Sequence, residues 1–91
     1  RENAMKFIDI DFSRENRFSI GVEEETGKFF VSIPVRNQRV DYEEYYEISR
    51  EMVESFKVDM DSALPFVQKC RDRELDYLLL QNPGSDRGIS M

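Results

Sequence analysis

Few side chains in this sequence could carry catalytic chemistry. The chain contains no histidine, the commonest general base and metal ligand, and Cys70 is its only cysteine. Cys70 lies on the apolar stripe of a predicted helix, with no imidazole to activate it, so we interpret it as a packed thiol. We therefore predict that the chain is not an enzyme and has no catalytic residue and no cofactor.

Two Asp-x-Asp pairs are candidates for holding a divalent cation. Asp9 and Asp11 are predicted to project from the same face of a strand, and Asp59 and Asp61 precede a predicted helix. Neither pair has the loop of oxygen ligands and the glycine of a calcium-binding hand. We interpret the first pair as a solvated strand face and the second as a helix cap, and we predict no metal site.

Tyrosines set among carboxylates are the feature that stands out. Tyrosine rings offer contact area and cation–π attraction, and carboxylates offer charge-assisted hydrogen bonds, so together they suit Lys and Arg side chains. The predicted partner-binding residues are Glu23, Glu24, Glu25, Asp41, Tyr42, Glu43, Glu44, Tyr45, Tyr46 and Glu47. The alternative is a solvated edge strand whose charges protect it from aggregation.

The charge balance indicates the kind of partner. Nineteen acidic against thirteen basic residues give a net charge of −6. This field repels phosphate backbones and anionic lipid headgroups, and it attracts a basic protein. We expect a basic protein partner, no nucleic acid and no membrane, although acidity also simply keeps a small protein in solution.

Alternating apolar residues predict an antiparallel sheet in the first half of the chain. One strand covers residues 7–12, with Ile8, Ile10 and Phe12 on its buried face, and a hairpin joins residues 17–22 to residues 29–33 through Gly27. A fourth strand over residues 39–47 is expected at an edge or only partly covered, because Glu44 interrupts its apolar face.

Helical spacing takes over in the second half. Ser49 is a plausible N-cap for a first helix, and Asp61 or Ser62 for a second that ends near Glu74. Residues 77–81 form either a last turn or a short strand. The chain is thus predicted to be α+β, with three to four N-terminal antiparallel strands, a possible short C-terminal strand and two C-terminal helices packed on one face.

The length of 91 residues suits one domain, which we place at residues 5–82. Residues 1–4 are expected to be extraneous residues ahead of a natural start at Met5, and residues 83–91 a polar tail. A single cysteine rules out an internal disulfide, and the longest apolar run, at 77–80, is far short of a membrane span. We therefore expect a cytoplasmic protein.

The segments RFSIGVEEE at 17–25, IPV at 33–35 and VDYEEYYEI at 40–48 resemble a group of small uncharacterised proteobacterial proteins. The resemblance covers most of the chain and implies no site. In size, acidity and lack of catalytic residues, the chain is also similar in type to bacterial toxin-immunity proteins, which mask basic toxins.

Three functional hypotheses follow from the sequence. The leading one is an acidic protein-binding module, such as an immunity or inhibitor protein, that covers a basic partner. The second is a homodimeric housekeeping or regulatory protein that associates through an exposed sheet edge. The third is a histidine-free enzyme that uses carboxylates, although nineteen acids make such carboxylate pairs common by chance.

Overall fold

The structure, a computed structural model, describes residues 6–36, 41–81 and 89–90. Its elements are β1 (Phe7–Ser13), β2 (Phe18–Glu23), β3 (Phe29–Arg36), β4 (Asp41–Ile48), α1 (Arg50–Val58), a 3₁₀ turn (Met60–Ala63), α2 (Leu64–Arg71), a second 3₁₀ turn (Asp76–Leu78) and β5 (Ile89–Ser90). The predicted α+β class is confirmed: an antiparallel sheet is followed by two helices.

The strands form a meander in the order β1-β2-β3-β4, with every neighbouring pair antiparallel. The predicted hairpin joins β2 to β3, and Gly27 closes it with a positive φ of 74° that suits glycine. β4 pairs with β3 along its whole length, from Arg36 opposite Asp41 to Phe29 opposite Ile48. β5 pairs with the far end of β3, at Val35 and Arg36.

One face of the sheet packs against the helices and forms the core. Strands contribute Phe18, Ile20, Val31, Ile33, Val35, Tyr46 and Ile48, and the helical half contributes Val53, Phe56, Ala63, Val67 and Cys70. The register places these strand residues on the same side, which we call the helix face. The apolar alternation of β2 and β3 thus predicted the buried face correctly.

The predicted face of β1 is wrong. The register shifts between Asp9 and Asp11, so that Ile8 stands opposite Val22 while Phe12 stands opposite Ser19, on the other side of the sheet. This bulge at Ile10 inserts one residue and breaks the period-two pattern. All three apolar residues are exposed, Ile8 at 45%, Ile10 at 42% and Phe12 at 55%.

The bulge also separates the first Asp-x-Asp pair. Asp9 stands opposite Gly21 and Asp11 opposite Ile20, residues that belong to different faces of the sheet. The prediction that the two carboxylates share a face is therefore wrong. Across the described ranges, no group of three or more metal-ligating side chains comes together.

The first helix begins where the sequence predicted. Ser49 Oγ accepts a hydrogen bond from the Met52 amide at 3.1 Å, which satisfies one of the free donors of the first turn. The second helical region begins before the predicted caps Asp61 and Ser62. Asp59 caps a 3₁₀ turn that leads directly into α2. This region also ends earlier: α2 stops at Arg71, and Arg73 takes a positive φ of 60°.

The segment after α2 returns to the sheet without forming a strand. Asp76–Leu78 is a 3₁₀ turn, Leu79 makes an isolated bridge to Tyr46, and the Leu80 amide donates to Tyr45 O at 2.9 Å. This segment therefore borders the outer edge of β4. Of the predicted polar tail, the structure describes only Ile89–Ser90, and it places them in β5.

Some predictions concern residues outside the described ranges. Residues 1–5, 37–40, 82–88 and 91 belong to this group, which includes the four expected extraneous residues and the start of the predicted fourth strand. Among the helices that are described, none is long and apolar enough to cross a membrane.

Candidate functional site

The side of the sheet opposite the helices, which we call the outer face, carries both acidic and aromatic side chains. The strand register assigns to it Phe7, Asp9, Phe12, Ser19, Gly21, Glu23, Phe30, Ser32, Pro34, Glu43, Tyr45 and Glu47. α1 packs on β2 and β3 and α2 on β3, through the other side of the sheet. The outer face is therefore where a partner could reach the sheet.

Three aromatic rings form the centre of the outer face. Phe7 of β1 stacks on Tyr45 of β4 with ring centroids 3.6 Å apart, and both rings meet Phe30 edge-on at 5.4 and 5.0 Å. A flat sheet would hold β1 and β4 roughly 14 Å apart, since neighbouring strands are about 4.8 Å apart. The sheet must therefore curl strongly to bring these side chains together.

Gly21 makes the close approach under these rings possible. A Cβ atom at this position would lie 2.5 Å from Phe30 Cζ and closer still to Ile8 O. Only glycine therefore leaves room for the Phe30 ring and for β1 at this point. Phe30 is completely buried as a result, although it lies on the face that has no helix over it.

Two carboxylates adjoin the aromatic rings. Desolvation by burial raises the pKa of Asp9, and desolvation followed by repulsion from Asp9 raises the pKa of Glu43, against a lowering hydrogen bond from Ser32. The pKa of Tyr45 is raised by burial first and then by Glu43 and Asp9. In the part of the chain that the structure describes, neither carboxylate forms a salt bridge.

We call Phe7, Asp9, Glu43 and Tyr45 the acid–aromatic cluster. Its two negative charges are partly removed from water and repel each other, so a cation placed beside them would relieve both penalties. The neighbouring ring faces can in addition attract a cation through their quadrupoles. The arrangement is suited to receiving a Lys or Arg side chain.

An open hollow of about 260 Å³ continues the outer face beyond the cluster. Phe12 and Pro34 give it apolar walls, and Glu43 and Arg17 contribute one charge of each sign. The hollow is therefore close to neutral, and it offers apolar contact rather than further attraction for a cation. The stem of a long side chain held at Glu43 could lie along the Phe12 ring.

Glu23, predicted to bind a partner, is a structural residue instead. Its side chain is fully buried, and its carboxylate accepts hydrogen bonds from the Lys6, Glu25 and Thr26 amides at 2.9, 3.1 and 2.8 Å. The Thr26 hydroxyl donates at 2.7 Å and is the main reason that the pKa of Glu23 falls to about 2. This carboxylate holds the β2–β3 turn and the start of β1 together and is not exposed to solvent.

The structure also places Glu44 and Tyr46, two further predicted partner-binding residues, in the core. They point to the helix face and are buried, at 5% and 0% exposure. The Tyr46 hydroxyl donates to Glu44 Oε1 at 3.0 Å and lies 3.3 Å from Cys70 O, and the Tyr42 hydroxyl donates to Glu44 Oε2 at 3.4 Å. Two phenols thus keep a core carboxylate hydrogen-bonded, which a buried charge requires.

The other predicted residues divide between the two sides of the sheet. Tyr42 packs against the core and is only half-buried, and Glu43, Tyr45 and Glu47 lie on the outer face. Glu24 and Glu25 are exposed in the β2–β3 turn. Lysines already approach two of these acids: Lys6 Nζ is 3.7 Å from Glu24 and Lys28 Nζ is 3.9 Å from Glu47. The side chain of Asp41 is not described.

Sequence reasoning missed the part of the site that β1 supplies. The predicted binding residues include neither Phe7 nor Asp9, and the sequence pattern offers Asp9 only as a metal ligand. No local pattern links either residue to Tyr45, because the contact spans two intervening strands. One sequence feature could have pointed to β1: acids alternate with its apolar residues, so this strand combines charge with apolar groups such as the exposed Phe12.

The thiol of Cys70 is packed as predicted. The residue is fully buried in the core, and desolvation raises the pKa of its thiol to about 12. The thiolate, which is the nucleophilic form, is therefore almost absent near neutral pH.

Comparison of the chain with protein-family models, curated proteins and solved structures finds no match.

Proposed function

We propose that this chain is a small acidic protein-binding module that binds a basic protein through the outer face of its sheet. The observation that carries the proposal is the acid–aromatic cluster. Asp9 and Glu43 lie beside Phe7 and Tyr45 on the side of the sheet away from the helices, and burial raises the pKa of both carboxylates. A Lys or Arg from a partner would restore the stabilisation that these carboxylates have lost.

The proposal keeps the kind of partner expected from the net charge and changes the residues that bind it. Glu43, Tyr45 and Glu47 of β4 remain among the proposed binding residues. The buried residues Glu23, Glu44 and Tyr46 are left out. Phe7, Asp9 and Phe12 of β1 are added. Masking of a basic protein, as an inhibitor or immunity protein does, is one role that such a surface would serve.

The test is binding of the chain to an array of short peptides in which Lys, Arg, Asp and Glu occur in many sequence contexts. Bound peptides should be enriched in Lys and Arg, and the dissociation constant should rise about tenfold between low salt and physiological salt or above, because exposed charges are screened. Binding that shows no preference for basic peptides would refute the proposal.

Matched variants locate the site. Asp9→Asn with Glu43→Gln removes the two charges of the cluster and should weaken binding of the basic peptides by roughly tenfold or more. Glu54→Gln with Glu74→Gln removes the same charge from exposed positions outside the sheet and should have little effect. Equal losses from both pairs would mean that only net charge matters.

The homodimer predicted as the alternative also has an observation in its favour. β1 is the first strand of the meander, and Ile8, Ile10 and Phe12 expose 42–55% of their surfaces along it. Apolar groups on an edge strand favour association with another chain. Light scattering over a range of concentrations tests this alternative, since a homodimer needs no foreign partner.

A further inference from the structure

The edge of β1 has backbone groups that point away from β2. In the β2–β3 hairpin the Glu23 amide donates to Lys28 O at 2.7 Å, and Glu23 O accepts from the Gly27 amide at 2.8 Å. Backbone groups alternate in direction along a strand, so Glu23 and Gly21 both direct theirs toward β3. Phe7 and Asp9, which stand opposite them, must therefore direct their own amides and carbonyls away from the sheet.

The same alternation accounts for the far end of β1. Phe12 stands opposite Ser19 and also directs its amide outward. Asp11 Oδ1 accepts that amide at 2.8 Å, so its side chain covers one donor of the edge. Between residues 6 and 36, 41 and 81, and 89 and 90, no strand other than β2 pairs with β1. The free part of the edge is thus the segment from Phe7 to Asp9.

The side chains along this edge are a mixture that a cationic strand would match. Three of the five exposed large apolar residues of the described chain belong to β1. Asp9 lies among them on the outer face, and its charge acts on Glu43 of the same face. An added strand would set alternate residues against Asp9 on one side and against Ile8 on the other.

A second copy of this chain sets like charges against each other in most of the central symmetric registers. Two-fold antiparallel pairing of β1 with itself, centred on Ile10, sets Asp9 of each copy against Asp11 of the other. Centring the pair on Asp9 or on Asp11 sets that residue against itself. Like charges directly opposite each other destabilise a strand pair, so these three registers are disfavoured. The register centred on Ile8 sets Phe7 against Asp9, avoids this repulsion and provides no cation opposite Asp9.

From these observations we infer that β1 accepts an extended segment of the basic partner as an additional antiparallel strand, with a Lys or Arg opposite Asp9 and a branched apolar residue opposite Ile8. This inference rests on the proposed function and specifies how the partner binds. Main-chain hydrogen bonds to Phe7 and Asp9 supply affinity, and the alternation of charge and apolar side chains supplies specificity. The same aspartates disfavour the pairings of β1 with itself that are centred on Asp9, Ile10 or Asp11.

The probe is a short acetylated and amidated peptide in which Arg alternates with Val. In the proposed register its Arg residues stand opposite Phe7 and Asp9 and exchange hydrogen bonds with them, whereas its Val amides point away. N-methylation of the Arg amides should therefore weaken binding by at least about tenfold, since it removes hydrogen bonds at each of these positions. The same number of methyl groups on the Val amides is the matched control and should change little.

Amide hydrogen exchange gives a residue-level readout in the protein. Saturation with the peptide should slow exchange at Phe7 and Asp9 by at least about tenfold and leave Ile8 unchanged, because Ile8 stands opposite Val22 and already directs its amide to β2. In addition, Asp9→Lys should transfer the preference to a peptide in which Glu alternates with Val.

The outcomes separate this inference from the proposed function. If both methylated peptides bind as well as the parent, or if Phe7 and Asp9 gain no protection, strand addition is refuted while binding of a basic partner stands. If no basic peptide binds, both fail. A concentration-dependent dimer that protects Phe7 and Asp9 without peptide would show that a second copy occupies the edge, and it would overturn the inference.

Discussion

Replacement of Gly21 by alanine tests whether the sheet really closes over this position. The added Cβ would lie 2.5 Å from Phe30 Cζ, 3.0 Å from Asp9 Cα and closer still to Ile8 O. Non-bonded carbon atoms prefer separations of about 3.5–4.0 Å, so β1 and the Phe30 ring must both move by roughly an ångström. Two of the three neighbours are backbone atoms, which cannot rotate away as the end of a flexible side chain could.

The cost follows from this crowding. Overpacking of a well-packed site costs typically about 1–3 kcal/mol, and loss of glycine's backbone freedom offsets somewhat less than 1 kcal/mol of it. We expect Gly21→Ala to lower the free energy of unfolding by about 1–2 kcal/mol, which for a domain of this size lowers the melting temperature by roughly 4–15 °C. Thermal and urea unfolding followed by circular dichroism measure both quantities.

Gly27→Ala is the matched control for this substitution. Nothing lies within 4 Å of a Cβ at Gly27, and its cost comes only from a positive φ of 74°. Both variants should be destabilised, but only Gly21→Ala should shift the ring resonances of Phe7 and Tyr45 and weaken peptide binding. If Gly21→Ala were as stable as the unmodified chain and left those resonances unmoved, the close packing of β1 and the Phe30 ring around Gly21 would be refuted.

Three further predictions concern buried groups. Tyr46→Phe removes a hydroxyl that hydrogen-bonds a core carboxylate and should cost about 1–3 kcal/mol in urea unfolding, whereas Tyr77→Phe, at a residue 80% exposed, should cost almost nothing; equal losses would contradict the assigned network. Because the pKa of its thiol is raised to about 12, Cys70 should react with a thiol reagent only at the rate of unfolding, and rapid labelling of the native chain would exclude this packing. Because the pKa of Glu23 is lowered to about 2 from 4.5, its contribution to stability should be complete above pH 4.5 and lost as pH falls toward 2, and a Glu23→Gln variant should lack this part of the acid dependence.

The carboxylates of the acid–aromatic cluster have the opposite linkage. The pKa of Asp9 and that of Glu43 are raised, so their ionisation disfavours the folded state, and their effect on stability is most favourable when they are protonated at low pH. These two carboxylates are the ones that the proposed function sets against a cation of the partner. This physical difference separates Asp9 and Glu43 from Glu23, although all three are acids on the same face.

Local sequence patterns were enough to predict the elements that bury a continuous apolar face. Alternation over β2 and β3, a glycine at the turn and a serine at the N-cap of α1 each act within a few residues, and each is confirmed. The charge balance likewise depends on composition alone. These features follow from backbone sterics and short-range hydrogen bonding, which are encoded within short stretches of sequence.

Which acids and aromatics reach solvent depended on contacts between distant strands. The bulge at Ile10 turned Phe12 to the outer face, and the curl of the sheet carried Phe7 onto Tyr45. Glu44 lies on the helix face, as the period-two pattern implies. Two tyrosine hydroxyls that hydrogen-bond its carboxylate stabilise it in the core. Periodicity says which side chains share a face of a strand, and only the packing of the whole sheet and its helices decides which of them remain open to a partner.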